Sequence, residues 1–373
     1  MTGTHAEYAP SSMYLTVACP GWRKQSLLMP PETDTEATRE GDAGHWVAAT
    51  MALAGPAGVV DPELLGKPAP NGVEITEEML DGAALWIEAL EGYPARIEAP
   101  VQITRIHPTK CWGTPDARQW AAPSKILRAA DYKFGHGFVD EFECWQLLTY
   151  MVGMADELGV FDDPEVRYEM TVVQPRYYNG KPIRTWTIMG EGLRHYAQRM
   201  RYAVEEAESA KPRVISGTHC TYCPARATCG TYRKTIMSTI DFAGRADPMA
   251  STPEDVGREL KLVQEFIKRL EARETGLSAL AEGMIRRGDR VPYFSMEQTM
   301  GRLAWTMDLD VIEMTARLSG KSIMAPSQPI TPTQAIQRKI LADKIVNQYS
   351  DRPRGAFKLV PDSTKTPRSF KTT

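Results

Sequence analysis

Four cysteines constrain the fold of this chain more than any other feature. Cys220, Cys223 and Cys229 lie within ten residues of one another, and Cys19 stands near the N-terminus. Because the chain is large and its first ten residues show no export signal, this spacing is typical of a metal or an iron–sulfur cluster rather than of disulfides.

Hydrophobic periodicity predicts helices around a sheet, which is an α/β arrangement. The predicted helices cover Thr76 to Leu90, Glu141 to about Leu158, and Gly192 to Ala210, and another includes His45. The predicted strands cover Val101 to Ile106, Ile126 to Tyr132, Val166 to Val173, and Arg184 to Met189, and the last two are predicted to pair.

The sequence predicts two domains, 1–237 and 238–373. Thr252 and Pro253 mark a strong helix start, with an N-cap residue followed by proline at the first helical position. This helix is predicted to continue to Arg287 and to serve as a bracing or oligomerising element. From Arg338 to Lys371 there are nine basic and three acidic residues. Such a tail is either a solvated terminus or an arm that contacts phosphates.

Charge and hydropathy exclude several classes of protein. The net charge is −3 and the pI is about 6.1, so any nucleic-acid contact has to use a local patch rather than general positive charge. The longest uncharged apolar stretch, Trp46 to Val60, is interrupted by Gly55 and Pro56 and is too short to span a bilayer. The sequence therefore predicts a cytoplasmic protein that contacts no membrane.

Two carboxylates on adjacent predicted strand ends, Asp116 and Asp131, suggest a site for a hard cation. Magnesium prefers one or two carboxylates together with water and substrate phosphate oxygens. Lys133 lies two residues after Asp131, so both side chains point to one face of a strand. From there Lys133 can orient a nucleophile or stabilise charge on a phosphate. Taken alone, the pair is equally explained by a surface ion pair.

Three further residues accompany this pair in the sequence. His45 precedes both carboxylates, and a neutral imidazole there is either a metal ligand or a capping or core residue. Gln146 and Tyr150 follow Lys133 and lie four residues apart, so they share one helical face. For them the alternative interpretation is ordinary helix packing with a wet polar edge.

The order of these motifs resembles the RecB-like branch of the PD-(D/E)XK nuclease superfamily. The matching motifs are Gly41-x3-His45, Gly113-x2-Asp116, Asp131-x-Lys133 and Gln146-x3-Tyr150. Cys19 and the three clustered cysteines further resemble its iron–sulfur subgroup, which includes the AddB helicase–nuclease subunit and the CRISPR adaptation exonucleases. Across nearly the whole chain the sequence also resembles a phage and prophage family of unknown function, through Cys19-Pro-Gly21, Glu40-Gly41, Val173-Gln-Pro-Arg176 and Leu359-Val-Pro-Asp362.

The resemblance implies a restriction-endonuclease-like mixed β-sheet flanked by helices, with a helical C-terminal extension. It implies that His45, Asp116 and Asp131 bind Mg²⁺ or Mn²⁺ with help from the backbone carbonyl of Tyr132. Lys133 would be the catalytic lysine, and Gln146 and Tyr150 would position the lysine or the DNA backbone. Asp131 stands where many relatives have glutamate, which shortens the reach to the metal.

The implied activity is a metal-dependent exonuclease that hydrolyses phosphodiester bonds at single- or double-stranded DNA ends inside a bacterial host cell. A phage recombinase or helicase is the implied partner. The four thiolates suit a [4Fe–4S] cluster, with structural Zn²⁺ as the alternative. Two other functions stay open: a DNA-binding or recombination-partner module that retains the nuclease fold without turnover, and a metalloprotein centred on its cysteine site.

Overall fold

The fold is described from a computed structural model. It describes residues 6–27, 29, 35–54, 61–91, 94–177, 180–243, 252–300, 304–324, 331–332, 335, 340–351 and 354–361. These residues form two compact units, Met1–Gly276 and Leu277–Thr373, and the predicted boundary between 237 and 238 stays a prediction. Asp362 and the rest of the basic tail beyond it lie outside the described residues.

Helices and strands alternate through the first unit. Its helices are α1 (Met13–Ala18), α2 (Trp22–Ser26), α3 (Glu36–Leu53), α4 (Glu77–Ala89), α5 (Trp145–Glu157), α6 (Gly190–Glu208), α7 (Gly230–Ala243) and the larger part of α8 (Pro253–Arg286). Its strands are β1 (Ala95–Ile97), β2 (Val101–Gln102), β3 (Trp112–Gly113), β4 (Ala117–Ala121), β5 (Ile126–Tyr132), β6 (Arg167–Val173) and β7 (Ile183–Met189). None of the described helices is both long enough and apolar enough to cross a membrane.

A mixed sheet of five strands forms the centre of this unit, in the order β1-β4-β5-β6-β7. β5 and β6 run parallel, whereas β1 with β4, β4 with β5, and β6 with β7 are antiparallel. The central pair consists almost entirely of buried residues, as expected for strands covered on both faces. The predicted mixed sheet flanked by helices is thereby confirmed.

Side-chain alternation along β5 separates two hydrophobic cores. Leu127 and Ala129 pack into the core that contains the apolar residues of α5 and α6. Ala130 and Tyr132 point to the opposite face and pack with α3 and α4. Because successive residues of a strand point to opposite faces, Asp131 projects on the α5 side together with Leu127 and Ala129.

Two predicted boundaries are wrong. The strand predicted over Val101 to Ile106 ends at Gln102, and the chain then turns. Ile103 and Ile106 are still buried, so the apolar residues of this turn give the same sequence pattern as a half-buried strand. The helix predicted from Glu141 begins at Trp145 instead, because Glu143 adopts a left-handed backbone with φ of 50° that a helix cannot continue through. The remaining predicted strands and helices, including the Pro253 start of α8, are confirmed.

The second unit begins within α8 and contains β8 (Phe294–Met300), β9 (Ala304–Trp305), α9 (Leu309–Arg317), α10 (Asp343–Tyr349), β10 (Ser350–Asp351) and β11 (Arg354–Pro361). β8 pairs with β11 and β9 with β10, both antiparallel. Its small core is formed by apolar residues that include Ile312, Ala316, Ile323 and Val346. This unit combines helices with strands, whereas the resemblance implies a helical C-terminal extension.

Candidate active site

The pairing of β4 with β5 brings the two predicted carboxylates to neighbouring strands. Ala117 lies opposite Ala130, which places Asp116 beside the end of β5 that carries Asp131. Asp116 Oδ2 accepts a hydrogen bond of 2.7 Å from the backbone N–H of Tyr132. The carboxylate of Asp116 is therefore fixed to the strand that carries Asp131, although the two residues come from separate motifs.

Lys133 and Gln146 both contact the Asp131 carboxylate. Gln146 Nε2 donates to Asp131 Oδ1 over 2.9 Å, and Lys133 Nζ donates to the same oxygen over 3.1 Å. Lys133 Nζ also donates to Gln146 Oε1 over 3.3 Å. Asp131 Oδ2 lies 2.9 Å from Lys133 Nζ as an ion pair, but it accepts no well-oriented hydrogen bond from the described residues. A buried carboxylate oxygen thus retains capacity for another ligand.

Burial and the closeness of the two carboxylates govern the charge state of this site. Burial, and secondly the negative charge of Asp131, raise the pKa of Asp116 from 3.8 to about 8. Burial disfavours the charged form of Lys133, but the Asp131 carboxylate outweighs that effect and raises the lysine pKa. Lys133 is therefore cationic at neutral pH.

His45 approaches the carboxylate pair from α3, which covers the face of the sheet opposite to α5. It lies inside α3 rather than at a helix start, and its Nδ1 is 3.6 Å from Asp116 Oδ2. Burial and the nearby Lys133 lower the pKa of His45, so the imidazole is neutral at pH 7 and its nitrogen is available as a ligand. A Cβ on the preceding Gly44 would lie 2.6 Å from Phe134, so glycine permits the close approach of α3 that brings His45 to the site.

Tyr150 and Tyr132 both contact residues next to the carboxylate site, and their predicted roles stay predictions. Tyr150 lies on α5 and its hydroxyl donates to the Thr114 carbonyl over 3.0 Å, so it holds α5 against the Gly113-x2-Asp116 segment. The Tyr132 ring packs on the α3 side, edge-on to His45 at 5.4 Å between centroids. Its backbone N–H binds Asp116 as described above, and the predicted role of its carbonyl stays a prediction.

The donor set at this site fits a hard divalent cation in its chemistry. His45, Asp116 and Asp131 supply a neutral imidazole and two carboxylates, and one carboxylate oxygen has unused capacity. The side chains are not already gathered, because no group of three or more His, Cys, Asp or Glu residues in the described part of the chain is arranged to hold a metal ion. Lys133 instead occupies the polar space around Asp131.

Arg176 is a central residue at this end of the sheet whose role the sequence does not reveal. Its guanidinium is buried and makes two hydrogen bonds to Glu40, of 2.9 and 2.7 Å, and one of 2.7 Å to Glu78. It also lies 4.0 Å above the centre of the Phe134 ring. Arg176, which lies just after β6, thereby connects α3 and α4 to the end of that strand. Its place in the Val173-Gln-Pro-Arg176 motif was the only sequence signal.

The four predicted cysteines come together away from the carboxylates. Cys19, Cys220, Cys223 and Cys229 line one cavity, are all buried and form no disulfides. Backbone N–H groups point at two of the sulfurs, from Ile215 to Cys19 over 3.3 Å and from Gly217 to Cys220 over 3.4 Å. Such donors stabilise thiolates, so the donor set and its surroundings suit a thiolate-bound group.

The other two cysteines remain outside this cavity. Burial raises the pKa of Cys111 to about 12 and that of Cys144 to about 11. Both thiols are therefore protonated at neutral pH and behave as small apolar side chains.

Comparison with known proteins assigns the chain to a family without assigning an activity. A sequence model described as "Protein of unknown function (DUF2800)" matches residues 5–367. No curated protein matches the sequence.

Proposed function

The chain belongs to the DUF2800 family, and from the geometry of its site we propose that it is a metal-dependent deoxyribonuclease of the PD-(D/E)XK type that acts on DNA ends. The observation that carries this proposal is the convergence of Lys133 and Gln146 on the buried Asp131 carboxylate at the end of β5, with Asp116 held beside it by the Tyr132 N–H. Surface ion pairs are exposed and easily solvated, whereas Asp131 is 2% exposed. A buried, charged and partly unsatisfied group is costly for stability and is typical of a functional site.

In the proposed reaction water attacks phosphorus, one P–O bond of the phosphodiester breaks, and the leaving oxygen gains a proton. A Mg²⁺ or Mn²⁺ ion held by His45, Asp116 and Asp131, with the Tyr132 carbonyl, would supply Lewis acidity and lower the pKa of the attacking water. The protonated Lys133 stabilises negative charge that develops on the scissile phosphate. Gln146 holds both Asp131 and Lys133 in place. Tyr150 fixes α5 through Thr114.

The test compares wild type with Asp131→Ala on end-labelled linear DNA and on closed circular DNA, with Mg²⁺, with Mn²⁺ and with EDTA. Asp162→Ala, which removes a carboxylate that is 73% exposed, is the matched control. We expect metal-dependent loss of linear DNA with wild type and the control, and none with Asp131→Ala. Cutting of circles would reassign the protein as an endonuclease. Absence of cleavage by wild type on single and double strands would overturn the proposal.

A second candidate is a DNA-binding or recombination-partner module without turnover. The observation in its favour is the direct ion pair of 2.9 Å between Lys133 and Asp131, which neutralises the carboxylate without any metal. DNA binding by wild type that is unaffected by EDTA and is accompanied by no cleavage would select this function. A phage recombinase or helicase would be the partner to test in either case.

We also propose that the cysteine cavity holds a [4Fe–4S] cluster, with Zn²⁺ as the alternative, and that this group joins α1 to the segment before α7. The support is the convergence of four thiols with two N–H donors on their sulfurs. Anaerobically purified protein should be brown and contain iron. Cys220→Ala should lose that absorbance and folded yield, whereas Cys144→Ala should retain both. Zinc without iron would select the alternative, and neither metal would overturn the cofactor.

A further inference from the structure

A row of six aromatic side chains, in two contact groups, lies near the carboxylate site, and its exposed members are phenylalanines. Phe138 packs against Tyr177 at 5.0 Å between ring centroids, and Phe142 against Trp186 at 5.1 Å. Trp186 contacts Tyr196 at 5.8 Å, and Tyr196 contacts Trp145 at 5.6 Å. Arg184 lies beside the first of these two groups, with its guanidinium 5.0 Å from the Phe138 ring and 4.5 Å from that of Tyr177. The aromatic row comprises Phe138, Phe142, Trp145, Tyr177, Trp186 and Tyr196.

The register of the sheet places Arg184, and with it Trp186 two residues further along β7, on the same face as Asp131. Asp131 pairs with Val172 across β5 and β6, and Val172 pairs with Arg184 across β6 and β7. Strands lie about 4.8 Å apart, so Arg184 stands roughly 10 Å from Asp131 on the same face. Trp145 directly precedes Gln146 at the start of α5. A nucleic-acid strand bound along the aromatic row would therefore reach the carboxylate site after one or two further nucleotides.

Exposure and charge make this surface suited to a polyanion with flat rings. Phe138 is 55% exposed and Phe142 is 59% exposed. Exposing such large apolar side chains together to water costs free energy. Arg199 is exposed on α6 and lies 4.8 Å from the Trp145 ring and 5.6 Å from the Tyr196 ring. Two nearby acids are engaged within the protein.

Those two acids are Glu141 and Glu143. Glu141 accepts a hydrogen bond of 2.9 Å from Arg184, and Glu143 accepts one of 2.6 Å from the Tyr196 hydroxyl. Arg184 thereby compensates the charge of Glu141, whereas Glu143 and the exposed Asp140 keep their charges, so the attraction for a phosphate backbone comes from Arg199.

We propose that the aromatic row binds the unpaired bases of single-stranded DNA, so that the carboxylate site receives a single-stranded end. This inference rests on the proposed nuclease function and specifies its substrate. Bases stack on aromatic side chains regardless of sequence, and arginine beside them contacts the backbone. In a duplex the faces of the bases already stack on neighbouring bases, so exposed phenylalanines cannot stack on them. A protein partner is the competing occupant, and the experiment separates the two.

The experiment measures binding in EDTA, where no turnover is needed, by fluorescence anisotropy of three labelled probes. The probes are a single-stranded 15-mer of thymidylate, an abasic strand of the same length, and a blunt duplex. The variants are Phe142→Ala, Phe142→Leu and Phe138→Ala. The control is Tyr222→Ala, which removes another exposed aromatic ring of the same unit.

We expect wild type to bind the thymidylate strand more tightly than either other probe. Phe142→Ala and Phe138→Ala should each weaken that binding by roughly 5- to 150-fold, and Tyr222→Ala should not. Phe142→Leu should behave like Phe142→Ala, because leucine retains apolar area but cannot stack. Equal binding of the base-containing and abasic strands, or full binding by Phe142→Leu, would overturn the inference and leave the surface to a protein partner.

The result that would refute the stacking surface differs from the result that would refute the nuclease function. Cleavage of duplex ends without preferential binding of the single strand would overturn the stacking surface alone. Preferential binding of the single strand, weakened by Phe142→Ala, together with no metal-dependent cleavage would overturn the nuclease alone.

Discussion

Asp116→Asn should make the metal-free protein more stable, although it removes a predicted metal ligand. The carboxyl group of Asp116 has its pKa raised from 3.8 to about 8 by burial and by Asp131. A carboxyl with a raised pKa in the folded state costs no stability below pH 3.8, and the cost grows until the pH exceeds about 8. Asparagine carries no charge and its amide oxygen still accepts the hydrogen bond from the Tyr132 N–H.

The magnitude follows from the shift and from the exposure of the side chain. A rise from 3.8 to about 8 corresponds to about 5–6 kcal/mol at most. The Asp116 side chain is 23% exposed, so solvent screens part of the interaction, and we expect a gain of about 2–4 kcal/mol at pH 8. At pH 4 the two proteins should unfold with nearly equal free energies.

Urea denaturation in EDTA between pH 4 and pH 8 measures this difference, with Asp162→Ala as the control for loss of an exposed carboxylate. Magnesium at about 100 times its Kd should stabilise wild type by about 2.7 kcal/mol and leave Asp116→Asn unchanged. An Asn variant that is less stable than wild type at pH 8 in EDTA would refute the electrostatic reasoning. Equal stabilisation of both proteins by magnesium would refute the metal site.

Three further variants test the site and its supports. Lys133→Ala should lower kcat by about 10²- to 10³-fold with little change in KM, and steady-state kinetics that show a change in KM alone would make the lysine a phosphate-binding residue. Arg176→Met should lower the free energy of unfolding by about 2–3 kcal/mol because two glutamates lose their buried partner, and unchanged urea denaturation would contradict that role. Gly44→Ala should displace α3 from Phe134 and reduce both stability and cleavage. Gly41→Ala, where the added methyl meets no atom within 4 Å, should do neither and serves as its control.

Short-range patterns account for most of the correct predictions. The alternation of a strand was enough to place Asp131 and Lys133 on one face, and their contact in the structure follows from it. The helical spacing of Gln146 and Tyr150 placed both on α5. Boundaries were less accurate where local geometry interrupts a pattern, as at Glu143 with its positive φ.

Long-range contacts were beyond the reach of periodicity. The bonds from Arg176 to Glu40 and Glu78 join three separate elements, and only the packing of α3 and α4 on the sheet decides them. The aromatic row is likewise assembled from a loop, β7 and two helices, so its members look unrelated in the sequence.

The sequence by itself determined the order of the motifs, the presence of helices around a sheet, and the residue types available for chemistry, because these depend on neighbours a few positions apart. Only the tertiary structure decided that His45 lies inside α3, that Tyr150 binds the Thr114 carbonyl, and that Arg176 binds both Glu40 and Glu78. Those placements depend on which hydrophobic faces bury one another, and that is a property of the whole packed chain rather than of any segment.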